Sequence, residues 1–320
     1  MHPALSVILF TTLSGAGYGL LIWTALVALY ARPGDAGGLL VCALTGLVLA
    51  TVGLLSSMLH LGKPVRAWRA FSQWRTSWLS REGVMAVVTY IPALLLAGMA
   101  WLEWLDPESV VFRSSGPTVA VLVIALATIA CALATIVCTA MIYASLKPIP
   151  AWRHRLVVPV YLVFALLGGL ALLAAILSAA AALPAMRIVA TALALLATLA
   201  AGLKLGYWRA LDRTQLPADR GDAVGLPGRA VSVFERPHTE ASYITREMAF
   251  VVARRHARRL RALALLLFTG VPLLAVYLTM HAGLEASWGW GAAAAAILAG
   301  SFVERWLFFA QARHMVTLYY

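Results

Sequence analysis

The sequence predicts an all-α, polytopic membrane protein with eight transmembrane helices. Of its 320 residues, 62% are hydrophobic and only 12% are charged, and the mean hydropathy is +0.87, which excludes an ordinary soluble domain of this length. A helix needs roughly 20 apolar residues to cross roughly 30 Å of hydrocarbon. Eight runs of that length occur: Leu5–Tyr30, Gly38–His60, Glu82–Glu103, Pro117–Leu146, Leu156–Leu177, Ala185–Leu211, Arg261–Met280 and Trp288–Ala312.

Taken in chain order, the runs support this assignment. The first lacks a basic n-region and, at about 26 residues, is too long for the h-region of a cleaved signal peptide, so we expect it to remain as a helix. The second ends at His60 and the third begins at Glu82. The fourth contains "VLVIALATIACALATIV", which is apolar on every side of a helix and lacks the alternation of a membrane β-strand. The fifth, sixth and eighth are predicted from length and composition, and the seventh follows an arginine-rich segment with helical spacing.

The distribution of basic residues predicts the orientation. Eight spans place both termini on one side, together with the loops after spans two, four and six. We assign 22 of the 25 Lys and Arg residues to this side, and only Arg32, Arg113 and Arg187 to the other. The opposite side also carries the acidic loop "EWLDPESVVFRSSG". The positive-inside rule then predicts that both termini and the basic loops are cytoplasmic. The net charge of +12 is explained by topology and by attraction to anionic lipid headgroups, without nucleic-acid binding.

Motifs for metal, nucleotide or hydrolytic chemistry are not found in the sequence. Cys42, Cys131 and Cys138 lie inside predicted spans without a C-x-x-C pair, as expected of small packing residues. No Walker, metalloprotease or nucleophile-elbow motif occurs. A haem held by two histidines is not expected either, although the pair of His60 and His314 is left open. Any difficult redox chemistry should therefore belong to a partner.

One pair of ionisable residues at the membrane boundary is a candidate site. His60 closes span two and Glu82 opens span three on the same predicted side, so a hairpin between them would bring both to one pocket with Lys63 and Arg66. An imidazole beside a carboxylate can bind a carbonyl or hydroxyl oxygen and exchange a proton with water. This is the chemistry that a quinone requires. The alternative is that His60 and Glu82 only stabilise the dipoles of their helices.

The loop between spans six and seven is the longest part predicted outside the membrane. We treat residues 1–320 as a single transmembrane anchor domain with a cytoplasmic loop at about 212–260. Its first half, "DRTQLPADRGDAVGLPGRAV", has the composition of turns, and its second half has helical spacing. The arginines before span seven could contact lipid phosphates or a partner protein, and the sequence leaves both open.

Two stretches of the chain resemble a known family. "LHLGKPVRAWRAFSQWRTSWLSREG" and "FERPHTEASYITREMAFVVARRHARRLR", together with the eight spans, resemble the DmsC family, the membrane-anchor subunits of the dimethyl sulfoxide reductase family of complex iron–sulfur molybdoenzymes. The resemblance covers most of the chain. It implies a bacterial inner-membrane anchor without haem that holds a quinone site, with menaquinone or ubiquinone as substrate. It also implies two partners, an iron–sulfur electron-transfer subunit and a molybdopterin catalytic subunit.

The resemblance also implies roles for particular residues. The quinol-site histidine, arginine and glutamate of the family correspond to His60, Arg66 and Glu82, with the same spacing between them. We place Lys63 in the same quinone site, and we take His60 and Glu82 as its proton-exchanging groups. The second stretch is expected to dock the iron–sulfur subunit through a further set of side chains: His238, Glu240, Tyr243, Arg246 and Glu247.

The predicted orientation distinguishes between members of this family. Electrons tunnel only short distances, so the quinone site must face the side on which the iron–sulfur subunit docks. A cytoplasmic docking side resembles the sulfite-oxidising (SoeABC-type) complexes, whereas dimethyl sulfoxide reductases face outward and use the anchor to oxidise quinol. An alternative from another class is a proton-coupled secondary transporter using the same histidine and glutamate. Against it, we find no internal repeat in the sequence and no candidate ionisable pair near the midplane.

Overall fold

The computed structural model describes residues 4–31, 34–59, 61–106, 111–113, 116–179, 186–213, 217–235 and 256–318. Eight helices within these residues are long and apolar enough to cross a membrane, which confirms the predicted all-α fold. Their bounds agree with the predicted spans to within four residues at each end. In chain order they are α1 Leu5–Ala28, α2 Ala36–Met58, α3 Trp78–Leu105, α4 Val119–Ala144, α5 Val157–Ala179, α6 Met186–Arg213, α7 Ala257–His281 and α8 Ala286–Ala310.

Local sequence explains where several helices begin or bend. Helix α3 begins after Ser77, whose hydroxyl accepts a hydrogen bond from the backbone N–H of Ser80, and Thr118 caps α4 in the same way. Helix α7 contains a π-helical turn at Leu266–Gly270, directly before Pro272. A proline inside a helix lacks the N–H that would continue the hydrogen-bond ladder, so a local change of helix type there is expected.

The helices form two groups of four. Helices α1–α4 pack around one another, and α5–α8 form a second group. The groups meet mainly where α1 packs against α5, with further contacts from α4 to α5 and from α1 to α8. As a result α1, α5 and α8 are mostly buried inside the protein, whereas the other five helices expose most of their apolar surface. That exposed surface is available to lipid, as expected of a bundle in a membrane.

Small residues allow α1 and α5 to approach closely. A Cβ atom built on Gly19 would overlap the backbone of Ala165, and one built on Gly169 would overlap the backbone at Gly19 and Leu20. Near these glycines, the indole N–H of Trp23 donates to the backbone carbonyl of Leu166 at 2.9 Å. Close backbone contact of this kind is a principal source of helix association in membranes, where there is little hydrophobic drive between helices.

The connections differ between the two ends of the bundle. Between α2 and α3 the chain forms a 3₁₀ segment, Pro64–Gln73. At the other end of α3, two-residue strands β1 (Phe112–Arg113) and β2 (Gly116–Pro117) pair in antiparallel register. The long loop between α6 and α7 contains a one-turn helix, Arg220–Ala223, whose N-terminus is stabilised by a capping box.

We call the end that carries the α2–α3, α4–α5 and α6–α7 connections the basic end. The structure corrects the charge count there. Lys204 and Arg305 were counted among the 22 basic residues of that side, but they lie inside α6 and α8 and are only 1% and 3% exposed. The remaining Lys and Arg residues are still more numerous at the basic end than at the other end. The five residues predicted to dock a partner lie outside the described residues.

The α1–α5 contact gives the first testable prediction. Substitution Gly169→Ala should lower stability by about 3 kcal/mol or more, because the added methyl group meets rigid backbone and not a movable side chain. The matched control is Gly98→Ala in α3, where nothing lies within 4 Å of the added Cβ. The measurement is the thermal unfolding midpoint of the purified chain in detergent. Equal midpoints for the two variants would contradict the close α1–α5 contact.

Candidate functional site

Glu82 lies in the second turn of α3 at the basic end and is buried, with 6% of its surface exposed. Its side chain faces the interior of the first helix group. The carboxyl group is close enough to Tyr18 of α1 and to Cys138 and Tyr143 of α4 for its charge to act on all three. Among the described residues, its Oε1 atom has no hydrogen-bond partner. A buried carboxyl oxygen without a partner is costly to keep, and this is common where the group exchanges a proton or binds a ligand.

The 3₁₀ segment Pro64–Gln73 covers the start of α3. The hydroxyl of Ser80 donates to the backbone carbonyl of Ala70, and the ring of Phe71 lies beside Gly83. Arg81 donates to the carbonyls of Trp74 and Arg75 at 3.0 and 2.6 Å. These contacts pack the 3₁₀ segment against the first turns of α3, where Glu82 lies.

Other predicted quinone-site residues are placed differently. Lys63 and Arg66 lie at the start of the 3₁₀ segment with exposed side chains, and the N–H of Arg66 donates to the carbonyl of Lys63 at 3.0 Å. Among the described residues, neither forms an ion pair with Glu82. His60 lies outside the described residues. The structure therefore places the predicted carboxylate inside the bundle and two predicted cations on the segment that covers it.

Metal binding finds no support in the part of the chain that the structure describes. No group of three or more His, Cys, Asp or Glu side chains there could hold an ion. His314 is described, and its Nδ1 accepts the backbone N–H of Val316 at 3.0 Å. His60 lies outside the described residues, so the pair of His60 and His314 that the sequence leaves open for a haem stays open.

The structure reveals an ion cluster that the sequence analysis missed. Lys204 Nζ lies 2.6 Å from Glu304 Oε1, and Arg305 Nη1 lies 3.5 Å from Glu304 Oε2. All three side chains are buried, with at most 3% of their surface exposed. The signal in the sequence was available, because each residue interrupts an apolar run predicted to cross the membrane, and ionisable residues in such runs are functional candidates by default.

Aromatic rings surround the cations of this cluster. Lys204 Nζ lies 4.2 Å from the centre of the Tyr207 ring and 5.0 Å from that of Trp208. The Arg305 guanidinium lies 3.6 Å from the centre of the Tyr161 ring. Cation–π contacts partly replace the water that these groups lose on burial. They cannot cancel the excess charge, because the cluster contains two cations and one anion.

A second ion pair links the cluster to the basic end. Arg261 of α7 makes a two-pronged contact with the Asp212 carboxylate at 2.7 and 2.9 Å, and it also donates to Gln311 at 3.2 Å. Its guanidinium lies 5.4 Å from the centre of the same Trp208 ring that Lys204 contacts. The Asp212 side chain is 60% exposed, so this second ion pair reaches the surface, and the Trp208 ring lies between it and the buried cluster.

A narrow cavity lies between α1, α4, α5 and α8, in the basic half of the bundle. Its polar lining consists mainly of Thr12, Tyr18, Thr139, Tyr161, Ser301 and Arg305. The cavity has room for water but not for a quinone ring. Its lining includes Tyr18, on which the Glu82 charge acts, and Arg305 of the ion cluster.

Comparison with known proteins gives two matches that cover the chain. Residues 1–311 match the model of a family described as DMSO reductase anchor subunit (DmsC). The chain is also 37% identical, over 330 aligned positions, to one of the subunits of the sulfite dehydrogenase of Allochromatium vinosum. That alignment covers 100% of this chain and 99% of the relative.

The charge balance of the ion cluster gives the second prediction. Glu304→Gln leaves two buried cations without an anion and should lower stability by about 3 kcal/mol or more. Lys204→Met should cost less than half as much, because Glu304 and Arg305 then remain as a balanced pair in apolar surroundings. The measurement is the thermal unfolding midpoint in detergent, with Lys147→Met, a change at an exposed lysine, as the control. A larger loss for Lys204→Met than for Glu304→Gln would contradict this charge balance.

Proposed function

Because the chain belongs to the DMSO reductase anchor subunit (DmsC) family, we propose that it is the quinone-reactive membrane anchor of a molybdopterin and iron–sulfur oxidoreductase. The chain is an integral membrane protein and the membrane anchor of an oxidoreductase. The proposal adds that it passes electrons between a docked iron–sulfur subunit and the membrane quinone pool. The observation that carries this proposal is the buried Glu82 carboxyl group. Its Oε1 atom has no partner among the described residues. The 3₁₀ segment Pro64–Gln73, which is rich in basic and aromatic residues, packs against the same helix.

Each proposed site residue has a distinct task. Reduction of a quinone needs two electrons and two protons, and the electrons come from the iron–sulfur subunit. Glu82 exchanges protons with the quinone oxygen, since a carboxyl group in an apolar site can carry a proton at neutral pH. His60, which precedes Glu82 in the chain, shares this proton exchange. The cations Lys63 and Arg66 hold the second oxygen or balance the charge that develops during reduction.

Two observations support a sulfite-oxidising complex that faces the cytoplasm. The relative from Allochromatium vinosum belongs to a sulfite dehydrogenase, and the excess of basic residues at the basic end favours a cytoplasmic location for that end. In the proposed complex, a molybdopterin subunit oxidises sulfite and water to sulfate, two protons and two electrons. The iron–sulfur subunit then passes both electrons to quinone in this chain. Substrate chemistry therefore takes place on another polypeptide.

The iron–sulfur subunit is proposed to dock at the basic end. Large apolar side chains are exposed there on segments outside the helices, including Trp68, Trp74 and Phe234. Exposed apolar groups rimmed by charge are typical of protein interfaces. The segment containing His238, Glu240, Tyr243, Arg246 and Glu247 lies shortly after Phe234 in sequence, and we propose that it completes this surface.

The proposed quinone site gives the third prediction. In membranes that contain the assembled complex, Glu82→Gln should lower sulfite-dependent quinone reduction by about 100-fold, because the site loses its proton-exchanging group. Electron transfer to a water-soluble dye that accepts electrons from the iron–sulfur subunit should be unchanged. The measurement is the ratio of quinone-linked to dye-linked turnover.

Helix α3 provides a matched control at its other end. Glu103 is also a buried glutamate, with 1% of its surface exposed, but its Oε2 atom accepts the backbone N–H of Phe112 and holds the β1–β2 connection. Glu103→Gln retains an acceptor oxygen and should preserve quinone-linked turnover. Equal loss in both variants would mean that any change to a buried charge in α3 impairs the complex, and the proposed role of Glu82 would be wrong.

The orientation gives the fourth prediction. Green fluorescent protein fused to the C-terminus should fluoresce, whereas alkaline phosphatase fused there should be inactive, because the basic end is proposed to face the cytoplasm. Fusions at Gly283, between α7 and α8, should show the reverse result. Colony fluorescence and phosphatase activity measure the two outcomes. The opposite pattern would place the proposed quinone site on the outer side and exclude a cytoplasmic complex.

A further inference from the structure

We propose that the Lys204–Glu304–Arg305 cluster and the adjoining cavity form an internal proton route between the aqueous phase at the basic end and Glu82. This inference rests on the proposed function, since it concerns the protons that the quinone reaction at Glu82 consumes or releases. It assigns a role to residues that lie away from the predicted quinone site.

Glu82 needs such a route because only 6% of its surface is exposed. The 3₁₀ segment lies over the start of α3, with Phe71 beside Gly83 and Arg81 bound to the segment's end. The charge of the carboxyl group acts on Tyr18 and Tyr143 inside the bundle. A proton that leaves or reaches Glu82 along polar groups must therefore pass through the interior.

The cavity supplies the inner part of the route. Four polar atoms of its lining residues have no hydrogen-bond partner among the described residues: the hydroxyl groups of Thr12, Tyr18 and Tyr161 and the Nη1 atom of Arg305, which forms the ion pair with Glu304. All four residues are buried. Polar cavities of this kind bind water, which satisfies otherwise unpaired groups. Water held between Tyr18 and Arg305 would connect hydrogen bonds from the neighbourhood of Glu82 to the ion cluster.

The ion cluster supplies the middle of the route. The Glu304 carboxylate lies between the two cations, 2.6 Å from Lys204 Nζ and 3.5 Å from Arg305 Nη1. A buried lysine can give up its proton, whereas an arginine remains charged. When Lys204 passes a proton to Glu304, the cluster changes from one amine cation and one carboxylate to a neutral amine and a carboxylic acid. Glu304 then passes that proton to cavity water, which leaves its carboxylate paired with the Arg305 charge.

Asp212 and Arg261 form the outer end of the route. The Asp212 carboxylate is exposed and can exchange protons with the aqueous phase. Lys204 and Arg261 both lie against the Trp208 ring, which places the exposed ion pair next to the buried one. A proton taken up at this surface re-protonates Lys204, and the cycle repeats for each of the two protons that quinone reduction requires. Quinol oxidation would use the same steps in reverse.

Aromatic residues close the basic end of the bundle around the route. Trp152 stacks on Phe308 with ring centres 5.9 Å apart, and Tyr143 packs edge-on against Phe309 at 5.2 Å. The Trp152 indole N–H donates to the backbone carbonyl of Phe308 at 3.1 Å. This layer leaves the ion cluster as the polar connection between the cavity and the surface at Asp212.

The test uses two variants that leave Glu82 unchanged, in membranes that contain the whole complex. Tyr161→Phe removes a hydroxyl group that has no partner among the described residues, and Lys204→Met removes the proton carrier while leaving Glu304 and Arg305 balanced. Both should lower quinone-linked turnover by about tenfold, with dye-linked turnover unchanged. The ratio of turnover in H₂O to that in D₂O should rise in both, because proton delivery then limits the rate. The controls are Tyr277→Phe and Lys147→Met, which alter exposed groups.

The outcomes separate this proposal from the proposed quinone site. If Glu82→Gln abolishes quinone-linked turnover while Tyr161→Phe and Lys204→Met behave as wild type, the site is correct and the route is wrong. A loss of turnover in the route variants with an unchanged solvent isotope ratio would show that the cluster is only structural, and would also overturn the route. If Lys204→Met does not assemble, Tyr161→Phe alone decides the question. Wild-type turnover in Glu82→Gln would remove the site on which the route depends.

Discussion

Hydrocarbon cannot solvate a charge, and this constraint determines the rest of the structure. A charged side chain inside a membrane helix costs several kcal/mol unless it is paired or reaches water. The bundle meets the constraint in two ways. The cations Lys204 and Arg305 share one carboxylate and lie against aromatic rings. Glu82 forms no such ion pair among the described residues and is buried beside tyrosines near the end of a helix, where a carboxyl group can be either protonated or charged.

The packing of the helices determines which charges can communicate. Glycines at the α1–α5 contact bring the two groups of four helices together, and α8 packs against both α1 and α5. Tyr18 of the first group and Arg305 of the second therefore line one cavity. Without this close contact, the carboxyl group of α3 and the ion cluster between α6 and α8 would belong to separate bundles with lipid between them.

The basic end combines features that the proposed electron and proton exchange requires. Its exposed aromatic and basic side chains form a surface suited to a protein partner, and the 3₁₀ segment that carries several of them packs against the start of α3, where Glu82 lies. In the proposed function, electrons and protons reach the quinone site from different directions, the electrons across the docked surface and the protons through the interior. This separation agrees with a membrane anchor whose difficult redox chemistry is carried out by its partners.

The sequence by itself determined the fold class, the number of helices and their approximate ends, because an apolar run of sufficient length has few alternatives to a membrane helix. It also identified the family and named Glu82 as a candidate site residue, since both depend on local motifs. It did not distinguish the buried cations Lys204 and Arg305 from loop charges, because position along an apolar run does not tell whether a side chain faces lipid, water or another helix. Only the tertiary structure decided that Lys204, Glu304 and Arg305 meet. Contacts between helices far apart in sequence depend on which helix faces pack together. When the helix surfaces are almost uniformly apolar, the sequence does not indicate which faces these are.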